Sequence, residues 1–399
     1  MARCGPGGPA SVASVVIVTF ALLAAYVANS NRQKTSSNSL PPARRPIEVL
    51  PPLSAKNDEV NQLLVLCRKI ALPVRPSVVE ALHYWRLCLV KEAIAISTST
   101  GRIQSGQTAE EIASDDIKRS LLVESEYIKR FGASDGAERL ITPAEGGLTI
   151  SNKDKKRRSD GQSHPGQFLF YLSECNVSLD DEVQLTEGTF RVSDILRREL
   201  LFFDQNESAA KTAPAFARYL APQQSFRTWN QTEISFTGMM SSLIKDSPES
   251  GWCHGTHRLY AVATLLKISE SEKILPPPVR AEALHFLTGA IDHLSLSQHP
   301  DGAWRYDWIA QEPAAAQPFA EALWGDSIVV TGHHLEWLFL MDDSLVSPLD
   351  TSIERARRFL HLQLTALTPA DVAKDLIAWS HAARSLLIWE TRLPLHYSK

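Results

Sequence analysis

From Asp58 to Glu390 the apolar residues recur with the 3.6-residue period of a helix, and almost nowhere with the two-residue period of a strand. In Ser77–Ser97, for example, Val79, Leu82, Trp85 and Leu89 share one face after a Pro76-Ser77 start. The same reading predicts helices over Asp58–Ala71, Ala109–Arg130, Gln167–Leu172, Val192–Asp204, Ala213–Leu220 and Thr232–Ile244. It continues through Thr256–Ser269, Pro277–Ser295, Gly332–Met341, Ser352–Leu367 and Pro369–Glu390. Gly132–Gln167 reads as a long irregular segment, and Glu182–Arg191 as a hairpin. Helices that arrive in pairs without intervening strands predict an all-α body. Many such helices bury their faces best as a superhelix, an α/α toroid or an incomplete α/α barrel.

A chain of 399 residues holds one large domain or two ordinary ones. With 44% apolar and 22% charged residues it has the material for a sizeable core. A net charge of -4 with no basic face argues against nucleic acid as a partner. The one basic cluster, Lys153–Arg158, sits among Gly, Ser, Asn and Asp and reads as a solvated loop. Ala10–Ala28 carries no charge, Gly or Pro and nearly matches a hydrocarbon core of roughly 30 Å, so 1–28 reads as a transmembrane signal anchor. The alternative is a signal peptide cleaved near Ala28-Asn29-Ser30, giving a secreted product. Residues 29–57, with two Pro-Pro pairs, read as a tether, and 58–399 as the helical body. The expected location is membrane-anchored with the bulk of the chain extracytoplasmic, although Arg3 before the span and Arg32 and Lys34 after it do not orient it. Five irregularly spaced cysteines give no disulfide framework and read as buried thiols.

Leu294, Gln298, Gly302 and Trp304 fit L-x3-Q-x3-G-x-W, which resembles the repeat of squalene and terpene cyclases and related α/α toroids. In that motif Gln is expected to cap a helix end and stack on the Trp, with Gly making the turn. The order "CHGTHRLYAVATLL", "SQHPDGAW", "VVTGHHLEWLFLM", "WSHAARSLL" also resembles an uncharacterised family of bacterial exported proteins with a prenyltransferase-like or squalene-cyclase-like body. That resemblance extends weakly upstream through Ser163, departs at His254 and Ser380 where Gly is expected, and implies fold and export but no reaction. Cyclase chemistry is disfavoured because no DxDD motif is present. A D-x-C zinc motif is missing, since Gly251-Trp252 precede Cys253. No cysteine follows Cys253, which closes the lanthionine-cyclase route.

Thr256-His257, Thr331-Gly332-His333 and Ser380-His381 each place a small polar residue before a His, where it is expected to cap the entry to an apolar helix. In a toroid these helix starts would gather at one mouth. One reading is acid/base catalysis on envelope carbohydrate, with His257, Tyr260, Arg258 and His333 in the roles used by polysaccharide lyases, Arg neutralising a uronate carboxylate. His381 and Glu336 complete the catalytic candidates. A second reading is a metal site, zinc foremost, from Cys253 or His254 with His257, His333 as a third ligand and Glu336 as base or support. The acid/base reading needs no cofactor. A third reading has the histidines stitching helices together in a binding or structural envelope module, with Trp252, Trp304, Trp308, Trp324, Trp337 and Trp379 as core and turn aromatics. Sequence leans to this third reading and leaves enzyme status open. His333 and His334 point about 100° apart on a helix, so one of them at most faces a cavity.

Overall fold

The computed structural model describes residues 45–50, 53, 58–98, 109–132, 139–151, 164–223, 225–251, 253–309 and 324–392. The apolar run Ala10–Ala28, the basic Lys153–Arg158 and Trp252 lie outside the described residues. Among the described residues no helix is long and apolar enough to cross a membrane. Pro41–Lys399 forms one compact unit.

The body is all-α apart from small hairpins. In chain order its helices are α1 (Asp58–Cys67), α2 (Val78–Thr98), α3 (Ala109–Leu122), α4 (Glu124–Phe131), α5 (Gln167–Glu174), α6 (Val192–Leu201), α7 (Gln205–Leu220) and α8 (Phe236–Lys245). They continue as α9 (Thr256–Glu272), α10 (Pro277–Ser297), α11 (Trp324–Phe339), α12 (Asp343–Val346), α13 (Asp350–Ala366), α14 (Pro369–Lys374) and α15 (Leu376–Arg392). Among the described residues three antiparallel hairpins decorate them: β1–β2 (Ile141–Ala144, Gly147–Ile150), β3–β4 (Glu182–Leu185, Gly188–Arg191) and β5–β6 (Ser225–Arg227, Glu233–Ser235). The predicted hairpin at Glu182–Arg191 is β3–β4.

Helices α2, α5, α7, α9, α11 and α15 pack each against the next, and α15 packs against α2. The intervening helices flank them: α3 lies on α2, α8 on α7 and α9, α10 on α9, α13 on α11 and α15, and α1 on α15. The inner helices are buried nearly all round. In α9, twelve residues from Thr256 to Ser269 are buried, and in α15 all but one from Leu376 to Trp389. A helix without a solvent face has no amphipathic stripe and needs neighbours on every side.

Where predicted and observed elements differ, the cause is local. Ala109–Arg130 is two helices because Val123 is extended and bridges Gln184. Helix α7 starts well before Ala213, since Pro214 is accommodated inside it. Pro369–Glu390 breaks at Asp375, whose backbone leaves the helical region and whose Oδ1 accepts from the Ala378 N–H at 3.1 Å. The body also begins before Asp58: Ile47 N–H donates to the Arg218 carbonyl at 2.9 Å, and Pro46 and Val49 are buried.

The L-x3-Q-x3-G-x-W segment folds as a turn with exchanged roles. The Trp304 indole N–H, and not Gln298, reaches the last turn of α10, donating to the Leu294 carbonyl at 3.0 Å. Gln298 Nε2 donates to the carbonyls of Gly302 (2.9 Å) and Ser352 (2.6 Å), tying the turn to α13. Gly302 has φ +95°, and a Cβ there would lie 2.4 Å from the Arg355 carbonyl oxygen, so only glycine fits.

Candidate functional site

Each of these six inner helices sends two polar side chains into the buried interior between them, most of them one turn apart. The pairs are His83 and Arg86 on α2, Tyr171 and Glu174 on α5, His257 and Tyr260 on α9, His333 and Glu336 on α11, and His381 and Arg384 on α15. Spacing of i, i+3 puts both members of a pair on one helix face. Helix α7 contributes Lys211 and Arg218, two turns apart. Eleven of the twelve are buried, and the side chain of the twelfth, Glu174, is only 3% exposed.

The first member of each pair belongs to a layer of rings. His83 meets Tyr171 and His381 edge-on, with centroids 4.9 Å away in each case. His381 and His333 are 3.8 Å apart, and His333 meets His257 at 4.9 Å. Lys211 Nζ lies 5.2 Å from the centre of the Tyr171 ring and 4.7 Å from that of Phe170. The second members form a charged layer. Glu174 contacts Arg86 (2.6 Å), Arg218 (3.4 Å) and Arg384 (3.8 Å) and accepts from the Tyr260 hydroxyl. Glu336 contacts Arg384 (2.8 Å) and Arg86 (3.5 Å). The two shortest approaches, Arg86 Nε–Glu174 Oε2 and Arg384 Nη1–Glu336 Oε1, are charge contacts whose N–H groups are not aligned as hydrogen bonds. Three arginines face two carboxylates, so the buried site carries a surplus of positive charge, which is larger when Lys211 is protonated.

Proton positions follow from the partners. His83 Nδ1 lies 2.6 Å from the Val79 carbonyl, which only accepts, so Nδ1 carries the proton and Nε2 accepts from the Tyr171 hydroxyl at 2.8 Å. His381 Nδ1 lies 3.2 Å from Glu336 Oε1, and its Nε2 has no hydrogen-bond partner among the described residues. Burial pushes both Glu336 and Glu174 up, but Arg384 and Arg86 outweigh it at Glu336, and Arg86, Arg384 and Arg218 at Glu174, so both stay below the usual carboxylate range. With Glu336 ionised, His381 Nδ1 donates to it and Nε2 presents a lone pair. Burial holds His83, His257, His333 and His381 neutral, reinforced by Lys211 at His257 and by His381 at His83 and His333. Burial also draws Lys211 down to about 8.

His257, His333, His381 and Glu336 are thus brought together. Tyr260 lies in the charged layer, bonded to Glu174. Arg258 turns away, its Nη2 3.4 Å from Asp246, and the arginines of the charged layer are Arg86, Arg218 and Arg384. The expected caps are corrected. Thr331 is mid-helix and bonds the backbone of Trp304 at 3.0 Å, because α11 begins at Trp324. Ser380 lies inside α15, and Thr256 donates to the Cys253 carbonyl at 2.8 Å. His334 points to the other side of α11, accepting from Trp337 at 3.0 Å beside Trp304 and Trp308.

Among the described residues two groups bring three ligand-type atoms within 4.8 Å of one another: His164, Cys253 and His257, and His333, Glu336 and His381. Cys253 and His257 are therefore joined by His164, and His333 belongs with Glu336. His83, Arg86, Tyr171, Glu174, Lys211, Arg218, Arg384 and His164 were not singled out from sequence. The recurring signal is a His or Tyr followed three residues later by Arg, Glu or Tyr inside an apolar helix: "HYWR", "YLSE", "HRLY", "HHLE", "HAAR".

Beyond the charged layer lies a cavity of about 290 Å³, lined by Arg86, Glu174, Arg218 and Arg384 on one side and by Pro46, Val49, Leu50 and Leu53 on the other. No family model, no curated protein and no solved structure matches this chain.

Proposed function

We propose that this chain is an α/α toroid, carried on an N-terminal anchor outside the cytoplasm, that binds a carboxylate-bearing envelope carbohydrate against its buried imidazole layer and moves a proton on it. The cyclic packing of α2, α5, α7, α9, α11 and α15 supports the toroid. One observation carries the chemistry: His381 Nε2 presents a free lone pair while Nδ1 is held by the ionised Glu336. A carboxylate behind an imidazole orients it and stabilises the imidazolium that forms when it takes a proton. His333 and His257 continue from His381 as a row of neutral imidazoles in ring-to-ring contact. The surplus positive charge offsets a substrate carboxylate, the role expected of Arg258 and filled here by other cations.

The second reading is a binding or scaffold module. It is favoured by the carboxylates of the charged layer, both of which are already committed to arginines. The test is to incubate the full chain with oligouronates and with neutral oligosaccharides, following unsaturated ends by ultraviolet absorbance and binding by calorimetry. Turnover of oligouronates that His381→Ala abolishes is the expected result. Binding without turnover supports the module, and neither binding nor turnover removes the carbohydrate reading.

A further inference from the structure

Where the chain enters α9, Cys253 and the ring-layer His257 meet His164, which precedes α5. We infer that His164, Cys253 and His257 form a zinc(II) site with a thiolate and two imidazoles as ligands and a fourth position open to an exogenous molecule. The inference shares His257 with the acid/base reading, whereas Cys253 and His164 take no part in that reading.

The donor set is the first argument. One sulfur and two nitrogens within 4.8 Å of one another need only small rotations to close on a common ion, and a mixed S/N set selects zinc over harder cations. His257 supplies the second. It is only 5% exposed, yet its Nδ1 has no hydrogen-bond partner among the described residues. A buried imidazole nitrogen left without a partner costs stability, and coordination removes that cost.

The backbone that presents Cys253 is fixed at some expense. Cys253, His254 and Gly255 all have positive φ (49°, 54° and 78°), a conformation that side-chain-bearing residues avoid. At Gly255 a Cβ would lie 1.8 Å from the Pro248 carbonyl oxygen, so no other residue fits. The carbonyls of this turn are taken: that of Cys253 by the Thr256 hydroxyl at 2.8 Å, and that of His254 by the Trp308 indole at 3.0 Å. Groups that pin a ligand's backbone and orientation raise the affinity of a metal site. Cys253 and His164 are also partly exposed, which gives an ion a way in.

The second group, His333, Glu336 and His381, is a poorer metal site despite its closeness. Glu336 already faces Arg384 at 2.8 Å and Arg86 at 3.5 Å, and a dication there would sit beside two permanent positive charges.

The experiment is titration of the EDTA-treated full chain with zinc(II), and with cobalt(II) as a spectroscopic probe. The expected result is one equivalent bound, with a thiolate-to-cobalt charge-transfer band that Cys253→Ser removes. His164→Ala and His257→Ala should each weaken binding by more than the roughly 100-fold that loss of an outer-shell partner costs. His333→Ala and His254→Ala should retain the band and the affinity. Thermal melts of the metal-free variants separate lost coordination from lost folding. A band that persists in Cys253→Ser, the absence of saturable binding, or loss of the band in His333→Ala with His164→Ala unaffected each overturns the site. Because the readouts are stoichiometry and absorbance, failure of the proton-transfer activity leaves this result untouched, and the reverse holds.

Discussion

The rings of His333 and His381 face one another with centroids 3.8 Å apart, although they come from helices separated by more than thirty residues of chain. Gly332 makes this approach possible. A Cβ there would lie 3.1 Å from the carbonyl carbon and Cβ of His381, and neither atom belongs to a flexible side-chain end. Gly332→Ala should therefore push α11 from α15 and cost roughly 1–3 kcal/mol, with Gly332→Val costing more. Urea unfolding measures this, and an unchanged midpoint would show that the helices separate freely.

Glu336 balances two buried arginines, Arg86 and Arg384. Glu336→Gln leaves them with Glu174 as their remaining carboxylate, and breaking a buried ion pair in this way costs roughly 3–5 kcal/mol. Arg384→Met alone should also destabilise. The double variant Glu336→Leu/Arg384→Met should recover part of the loss, because both charges go together. Chemical denaturation of the three variants reads the coupling.

Acid should unfold the protein through its histidines. His83, His333, His334 and His381 all have pKa values below the unfolded value of 6.5, with His334 drawn down to about 3 by burial. Below pH 6.5 the unfolded chain takes up protons that the folded chain refuses. Stability is thus complete above pH 6.5 and declines steadily as pH falls, for His334 down to about 3. Each such group contributes up to about 1.4 kcal/mol per pH unit. Melting temperatures measured between pH 7.5 and 5 should drop steeply, and His334→Phe should flatten the slope by one proton's worth.

A chain starting at Asp58 should be less stable than one starting at Arg45. The longer chain keeps the Ile47–Arg218 backbone bond at 2.9 Å, the second bond from Arg218 Nη1 to the Ile47 carbonyl at 3.1 Å, and the buried Pro46 and Val49. Losing these should cost roughly 2–4 kcal/mol. Thermal melts of the two chains give the difference, and equal midpoints would show that the segment adds nothing.

Helical periodicity made the all-α body legible, since α9, α10 and α13 announce themselves by apolar spacing and Pro or polar starts. The breaks at Val123 and Asp375 were not legible, because each is set by a distant or backbone partner. The site was half legible. His257, His333, His381 and Glu336 stood out by rarity and local grammar, but Arg86, Glu174 and Arg218 carry no such local mark. Only the packing of the inner helices reveals two stacked layers. Arg258 misled for the opposite reason: adjacency to His257 in sequence puts it about 100° away on the helix.

The contact between α15 and α2 has a consequence for the time course of biosynthesis. Arg86 and His83 leave the ribosome early, whereas Glu336, His381 and Arg384 follow after most of the body. At roughly 5–20 residues per second, the interval between the two ends of the ring is on the order of tens of seconds. During that wait the amphiphilic α2 holds a guanidinium with half its counter-charge missing. A nascent chain released before Leu376 would therefore expose an open seam, and quality control has a defined target in it.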